Sequence, residues 1–141
     1  MTTASVLAAA KILKDFMSPS QLNIVASNTR GEEGEFFKTK MVEMANLIRN
    51  MPKTYEQDGK GNDAIVSLHY FHGGFDWYIT EKDMGDGTAD SAQWQAYGYA
   101  DMGYPEMGYI CIAELIANGV ELDLHFEPHT LAEVKKERGE L

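Results

Sequence analysis

The chain has 141 residues, of which 44% are hydrophobic and 24% charged, a composition that fits one globular domain and excludes a disordered chain. Its formal charge of −10 argues against binding to DNA, RNA or an anionic membrane, because phosphate groups need clustered lysines and arginines. A single cysteine, Cys111, excludes an internal disulfide, and no apolar run reaches the roughly 20 residues of a membrane span, so we expect a cytoplasmic protein.

Two helices are predicted in the N-terminal part of the chain. The first covers residues 4–16, where apolar residues recur at intervals of three and four and a Ser-Pro-Ser turn follows. The second covers residues 32–51, with an apolar stripe that consists of Phe37, Met41, Met44, Ile48 and Met51. Core packing explains this methionine-rich stripe better than a binding groove does. Between the two helices, residues 21–27 are predicted to form a short strand.

A sheet, a short helix and a terminal helix are predicted in the rest of the chain. Alternating apolar and polar residues predict strands at 64–71, 75–81, 94–100 and 120–126, and a His-Gly-Gly turn joins the first two. Helices are predicted at 112–117 and 129–138. We therefore expect one α+β domain over residues 1–141 with an antiparallel sheet of about four strands. Its parts are a helical N-terminal part (1–55), an acidic sheet module (63–127) and a C-terminal helix (129–138).

All of the net charge lies between Asp76 and Glu127. This stretch contains eleven acids and one base, Lys82, whereas the residues before and after it are balanced in charge. Outward acids on a strand recur about every 6.7 Å, which is roughly two phosphate spacings along a DNA strand, so they favour a basic partner. The predicted partner-binding residues are Asp76, Glu81, Asp83, Asp86, Asp101, Glu106, Glu121, Asp123 and Glu127, with Tyr99 and Tyr104 as aromatic anchors. The alternative is that the acids serve solubility alone.

A small metal-dependent enzyme is the alternative that the histidines suggest. Asp123 and His125 are two positions apart on a predicted strand and share one face, and His129 follows, so one carboxylate and two imidazoles supply typical metal ligands. The aspartates at 83, 86 and 90 lie in a glycine-rich loop without the spacing of a calcium-binding loop. No nucleophile motif or phosphate-binding loop occurs in the sequence, so we assign no catalytic residue, no metal ligand and no cofactor.

Four pieces of the acidic module follow one another along the chain: Trp77–Glu81, Tyr97–Gly103, Pro105–Leu115 and Asp123–Phe126. Together they resemble a family of small, plasmid-related proteins of unknown function that are carried by plasmids, phages and integrated elements. The resemblance covers residues 77–126 and implies a mobile-element setting in a bacterial host cell. The family brings no established catalytic residues.

The resemblance and the charge segregation together lead us to expect an inhibitor of a host defence system, either an anti-CRISPR or an antirestriction protein. Its acidic face is expected to occupy a basic, nucleic-acid-handling surface of a defence protein or ribonucleoprotein complex, without direct contact to nucleic acid or membrane. An accessory protein of plasmid maintenance, with a protein partner and no inhibition, is a further alternative.

Overall fold

The computed structural model describes residues 2–85 and 92–141 and confirms the α+β class. In these residues the elements follow in the order α1 (Thr3–Leu13), α2 (Pro19–Asn28), α3 (Gly34–Asn50), β1 (Ile65–Val66), β2 (Leu68–His72), β3 (Phe75–Glu81), β4 (Ala96–Asp101), β5 (Pro105–Ile110), α4 (Ile112–Ala117), β6 (Glu121–Leu122), β7 (His129–Thr130) and α5 (Leu131–Glu137). None of these helices is long and apolar enough to cross a membrane. The four predicted helices are confirmed, and three of them are shifted at their ends.

Five strands form one antiparallel sheet in the order β5-β4-β3-β2-β6, and β1 pairs with β7 in a separate two-stranded sheet. The predicted hairpin joins β2 and β3, and Gly73 has a φ of 58° in its turn, a left-handed conformation that favours glycine. The antiparallel sheet is confirmed, and it has one strand more than those named from the sequence, because all of β5 pairs with β4. Pro105 at its start and Gly108 in its middle are turn-forming residues, so the sequence pattern does not indicate a strand here.

The two faces of the large sheet are covered by different helices. Trp77 and Ile79 of β3 belong to the main core, which packs the sheet against helices α1 to α4. Tyr78 lies between them in the sequence, so its side chain points to the other face, where it packs in a second cluster with Leu131 and Val134 of α5. Because both faces are covered, polar residues that alternate with the core residues do not automatically face solvent.

The strand predicted at 21–27 is wrong, because this segment belongs to helix α2. The Ser18 hydroxyl accepts a hydrogen bond from the Gln21 N–H (3.1 Å), and Pro19 occupies the first helical position. Both features are typical of a helix start. Val25 is the only buried residue of this helix, so burial of apolar side chains contributes little to its formation. The capping residues therefore decide the local structure.

The strand predicted at 120–126 is confirmed only at Glu121–Leu122, which pairs with β2. Directly after it, the Asp123 carboxylate accepts a hydrogen bond from the His125 backbone N–H (2.9 Å). This local turn satisfies backbone groups that a longer strand would need for its ladder, so the strand ends there.

Helix α5 begins with a capping box that connects its stability to pH. The Thr130 hydroxyl accepts the Glu133 N–H (3.1 Å), and the Glu133 carboxylate accepts the Thr130 N–H (3.1 Å). Hydrogen bonds from the Thr130 backbone and then from its hydroxyl lower the pKa of Glu133. A lowered pKa in the folded state adds stability above the pKa of the unfolded chain, and this stability disappears as the pH falls through the folded-state pKa.

We therefore expect Glu133→Gln to lower the urea midpoint of unfolding at pH 7 and to match the unmodified protein in strong acid, where the carboxyl is protonated in both states. Urea titrations over a series of pH values measure the difference. A difference that keeps its size from neutral to strongly acidic pH would contradict this role of the charged carboxylate.

Candidate protein-interaction surface

The predicted partner-binding acids do not form one face, because the structure divides them into buried, paired and exposed groups. Glu81 is buried, with 4% of its surface exposed, and its two oxygens accept the backbone N–H groups of Tyr55 (2.7 Å) and Gln57 (2.9 Å). The prediction that Glu81 faces outward is wrong. A register shift between Ile79 and Glu81 interrupts the alternation of β3, and the loop after α3 covers the carboxylate.

Arg138, at the end of α5, pairs with several of the predicted acids. Asp76 of β3 lies directly opposite Asp101 of β4, an arrangement in which two carboxylates repel each other. The Arg138 guanidinium forms ion pairs with Asp76 (3.1 Å), with Asp101 and with Glu140 (3.2 Å), and it donates a hydrogen bond to the Tyr78 hydroxyl (3.3 Å). Burial opposes its charged form, but these hydrogen bonds outweigh burial and raise the pKa of Arg138. We call these five residues the Arg138 network.

His69 extends the Arg138 network to a further predicted acid. Its Nε2 atom lies 2.7 Å from an Asp76 oxygen, and its Nδ1 atom lies 3.0 Å from an Asp123 oxygen. The imidazole also stacks on the Tyr78 ring, with centroids 4.6 Å apart and planes inclined by 10°. Asp76 and Asp123 are therefore directed at partners within the protein and are only partly available to another molecule.

The structure does not bring Asp123, His125 and His129 together as a metal centre. The Asp123 carboxylate contacts His69, the His125 side chain is exposed, and the His129 Nδ1 lies 2.7 Å from the Glu127 carbonyl oxygen. In residues 2–85 and 92–141, no three histidine, cysteine, aspartate or glutamate side chains lie close enough together to hold a metal ion.

The predicted acids of the glycine-rich loop are described only in part. The Asp83 carboxylate is half-buried and accepts the backbone N–H groups of Gly85 (2.9 Å), Trp94 (3.1 Å) and Gln95 (2.9 Å). Its role is therefore to join the two ends of this loop. Asp86, the next predicted acid, lies outside the described residues, and so does Asp90.

The two predicted aromatic anchors occupy opposite environments. Tyr99 is buried, with 7% of its surface exposed, and donates a hydrogen bond to Glu140 (2.9 Å). Burial, followed by this hydrogen bond, raises the pKa of Tyr99 to about 12. Tyr99 is therefore part of the second core cluster and is not free to anchor a partner. Tyr104 lies in the turn between β4 and β5, where 76% of its surface is exposed.

Exposed side chains occur at the β4–β5 turn and next to β5. We call four of them the hairpin surface: Met102 and Tyr104 in the turn, Glu106 of β5 and Glu114 of α4. Met102, Glu106 and Glu114 line one groove of about 250 Å³, which has the Trp77 ring among its lining side chains. Both carboxylates are exposed, and neither forms an ion pair with another described residue. Large apolar side chains therefore occur near the β5 edge of the sheet together with acids that have no ion pair among the described residues.

Two further predicted acids, Glu121 and Glu127, are exposed but lie elsewhere. Glu121 is in β6, at the edge of the sheet opposite β5, and Glu127 is in the following loop. They contribute to the general negative charge without belonging to the hairpin surface.

Comparison of the chain with models of protein families, with curated proteins and with solved structures finds no match. The fold and the surface are those of an acidic α+β protein with an edge hairpin that exposes aromatic, methionine and carboxylate side chains.

Proposed function

We propose that this chain is a protein-binding inhibitor that contacts a basic partner through the hairpin surface. The observation that carries the proposal is the exposure of Met102 and Tyr104 in the β4–β5 turn. Met102 lines one groove with Glu106 and Glu114, two carboxylates without an ion pair among the described residues. Aromatic residues and methionine are enriched in the centres of protein interfaces, and unpaired carboxylates select lysine and arginine in the partner.

The partner that we propose is a basic, nucleic-acid-binding surface of a bacterial defence protein or ribonucleoprotein, which makes the chain an anti-CRISPR or antirestriction inhibitor. Support comes from the net charge of −10, which attracts a basic surface over a long range. Because Asp76, Asp101 and Asp123 are paired within the protein, the contact depends on a local surface and not on a continuous row of acids.

The experiment compares two variants in binding to purified restriction enzymes and CRISPR effector complexes. The hairpin variant combines Tyr104→Ala, Glu106→Gln and Glu114→Gln, and the matched control combines Glu121→Gln and Glu127→Gln at exposed acids elsewhere. We expect the hairpin variant to bind about 100-fold or more weakly, because it loses an aromatic anchor and two charges. The control should stay within about threefold of the unmodified protein, since peripheral charges contribute little.

Binding is measured at low and at high salt, together with inhibition of nuclease activity. Affinity of the unmodified protein should fall as salt rises, because salt screens the attraction between the acidic and basic surfaces. Equal loss of affinity in the hairpin and control variants, or an affinity that does not change with salt concentration, would overturn the assignment of the hairpin surface.

A further inference from the structure

A cleft of about 480 Å³ lies between the loop after α3 and the outer strands of the sheet. Its floor contains a row of three residues at paired positions on neighbouring strands. Glu81 of β3 pairs with Tyr97 of β4, and Tyr97 pairs with Tyr109 of β5. Tyr55, in the loop, forms a further wall. We call these four residues the tyrosine cleft; none of them belongs to the hairpin surface.

The Glu81 carboxylate is held in a fixed position in this cleft. Its oxygens accept the backbone N–H groups of Tyr55 and Gln57, and each oxygen retains acceptor capacity for another donor. The Gln57 amide is held in turn, because it donates to the carbonyl oxygens of Ile65 and Thr80 (2.9 Å each). The loop is therefore bonded to the sheet, and the cleft is formed before any ligand arrives.

Tyr55 adopts a backbone conformation that is unfavourable for its residue type. Its φ of 77° is the only positive value among the described residues other than glycine. Such a conformation is strained for a bulky residue and persists only where the surroundings impose it. The Tyr55 side chain is 58% exposed, so burial of the ring does not offset this cost. Strain of this kind, at the rim of a preformed cleft, is typical of a binding site.

The three tyrosines line the cleft together with Glu81. The rings of Tyr97 and Tyr109 are nearly perpendicular, with centroids 5.6 Å apart and planes inclined by 80°. The hydroxyl of Tyr55 lies 2.7 Å from the hydroxyl of Tyr109, which closes the outer side. This hydrogen bond raises the pKa of Tyr109.

The charge of the lining decides which ligand fits. Among the residues that the structure describes, two acids, Glu81 and Asp58, line the cleft, and no lysine, arginine or histidine does. Ring faces attract organic cations, and a carboxylate among them adds charge and a hydrogen-bond acceptor. We propose that the tyrosine cleft binds an organic cation, an alkylammonium or guanidinium group, with its charge directed at Glu81 and its apolar surface against the rings. This inference goes beyond the proposed function and does not depend on it.

The experiment follows the tyrosine ring resonances of the full chain by NMR during titration with choline, with methylguanidinium and with neohexyl alcohol, the uncharged isostere of choline. We expect saturable shifts with both cations and affinity at least about tenfold weaker for the isostere, because only the cations interact with the ring quadrupoles and the carboxylate. A short peptide with a central arginine separates the two sources of the cation. Tighter binding of the peptide indicates a side chain of a partner protein, and equal binding indicates a free small molecule.

Two variants remove walls of the cleft, and one matched variant leaves it intact. Tyr55→Gly and Tyr97→Leu should each weaken binding of the cations by about tenfold, whereas Trp94→Ala, which removes an exposed aromatic ring outside the cleft, should not. Glycine adopts a positive φ without strain, so Tyr55→Gly keeps the fold, and its thermal midpoint verifies this. Unchanged cation affinity in Tyr55→Gly, equal affinity for choline and its isostere, or shifts that do not saturate would each overturn the proposal.

Discussion

Gly98→Ala should destabilise the protein by about 3 kcal/mol, because a methyl group at this position has no space between two strands. A Cβ atom on Gly98 would lie 2.0 Å from the carbonyl oxygen of Tyr78 and 3.0 Å from the Cα of Ile79. Both are backbone atoms of β3, so relief of the clash requires β3 and β4 to separate. The loss is measured as the free energy of unfolding in urea, followed by the fluorescence of the buried Trp77.

Gly108→Ala is the matched control, since Gly108 of β5 pairs directly with Gly98. A Cβ atom on Gly108 meets nothing within 4 Å, and its φ is not positive. We expect a change within about 1 kcal/mol, and in the stabilising direction, because alanine restricts the unfolded chain more than glycine does. Equal stabilities of the two variants would show that β3 and β4 do not approach each other this closely.

Arg138→Ala should destabilise the protein by about 2–4 kcal/mol, because it leaves the facing carboxylates of Asp76 and Asp101 without a cation in a half-buried site. Lys136→Ala is the matched control, since it removes the same charge from an exposed position of the same helix. It should change stability by less than about 0.5 kcal/mol.

Two more variants separate charge from geometry in the Arg138 network. Arg138→Lys retains the positive charge without the planar fork, so we expect an intermediate stability. Adding Asp101→Asn to Arg138→Ala should restore part of the loss, because it removes one of the two facing charges. The free energy of unfolding in urea is measured for all of these variants. Additive effects of Arg138→Ala and Asp101→Asn would show that loss of the Arg138–Asp101 ion pair does not cause the destabilisation.

Elements with a regular apolar period were predictable from the sequence. The strand at 75–81 and the helix at 112–117 have the predicted bounds, because alternation and helical spacing are local patterns. Helix α2 and strand β5 were not found. In α2 a serine cap and a proline outweigh a short apolar run, and β5 is an edge strand with Pro105 and Gly108 that becomes regular only by pairing with β4.

The candidate site was predictable in its charge but not in its location. Tyr104 and Glu106 are exposed as predicted, whereas Glu81 and Tyr99 are buried. The tyrosine cleft was not predicted at all, because Tyr55 and Tyr109 are far apart in the sequence and meet only through the loop after α3. The one local signal was the cluster of tyrosines in the β4–β5 hairpin.

The sequence by itself determined the α+β class, most of the helices, the β2–β3 hairpin and the confinement of net charge to residues 76–127, since each depends on local spacing or composition. Only the tertiary structure decided which acids a partner can reach. Arg138 is 62 residues from Asp76 in the chain, and it lies beside Asp76 because α5 packs on the sheet face opposite the main core. Ion pairs between distant residues depend on how the elements pack. The acidic module therefore presents, at its hairpin edge, a few carboxylates without an ion pair among the described residues, and not one continuous acidic face.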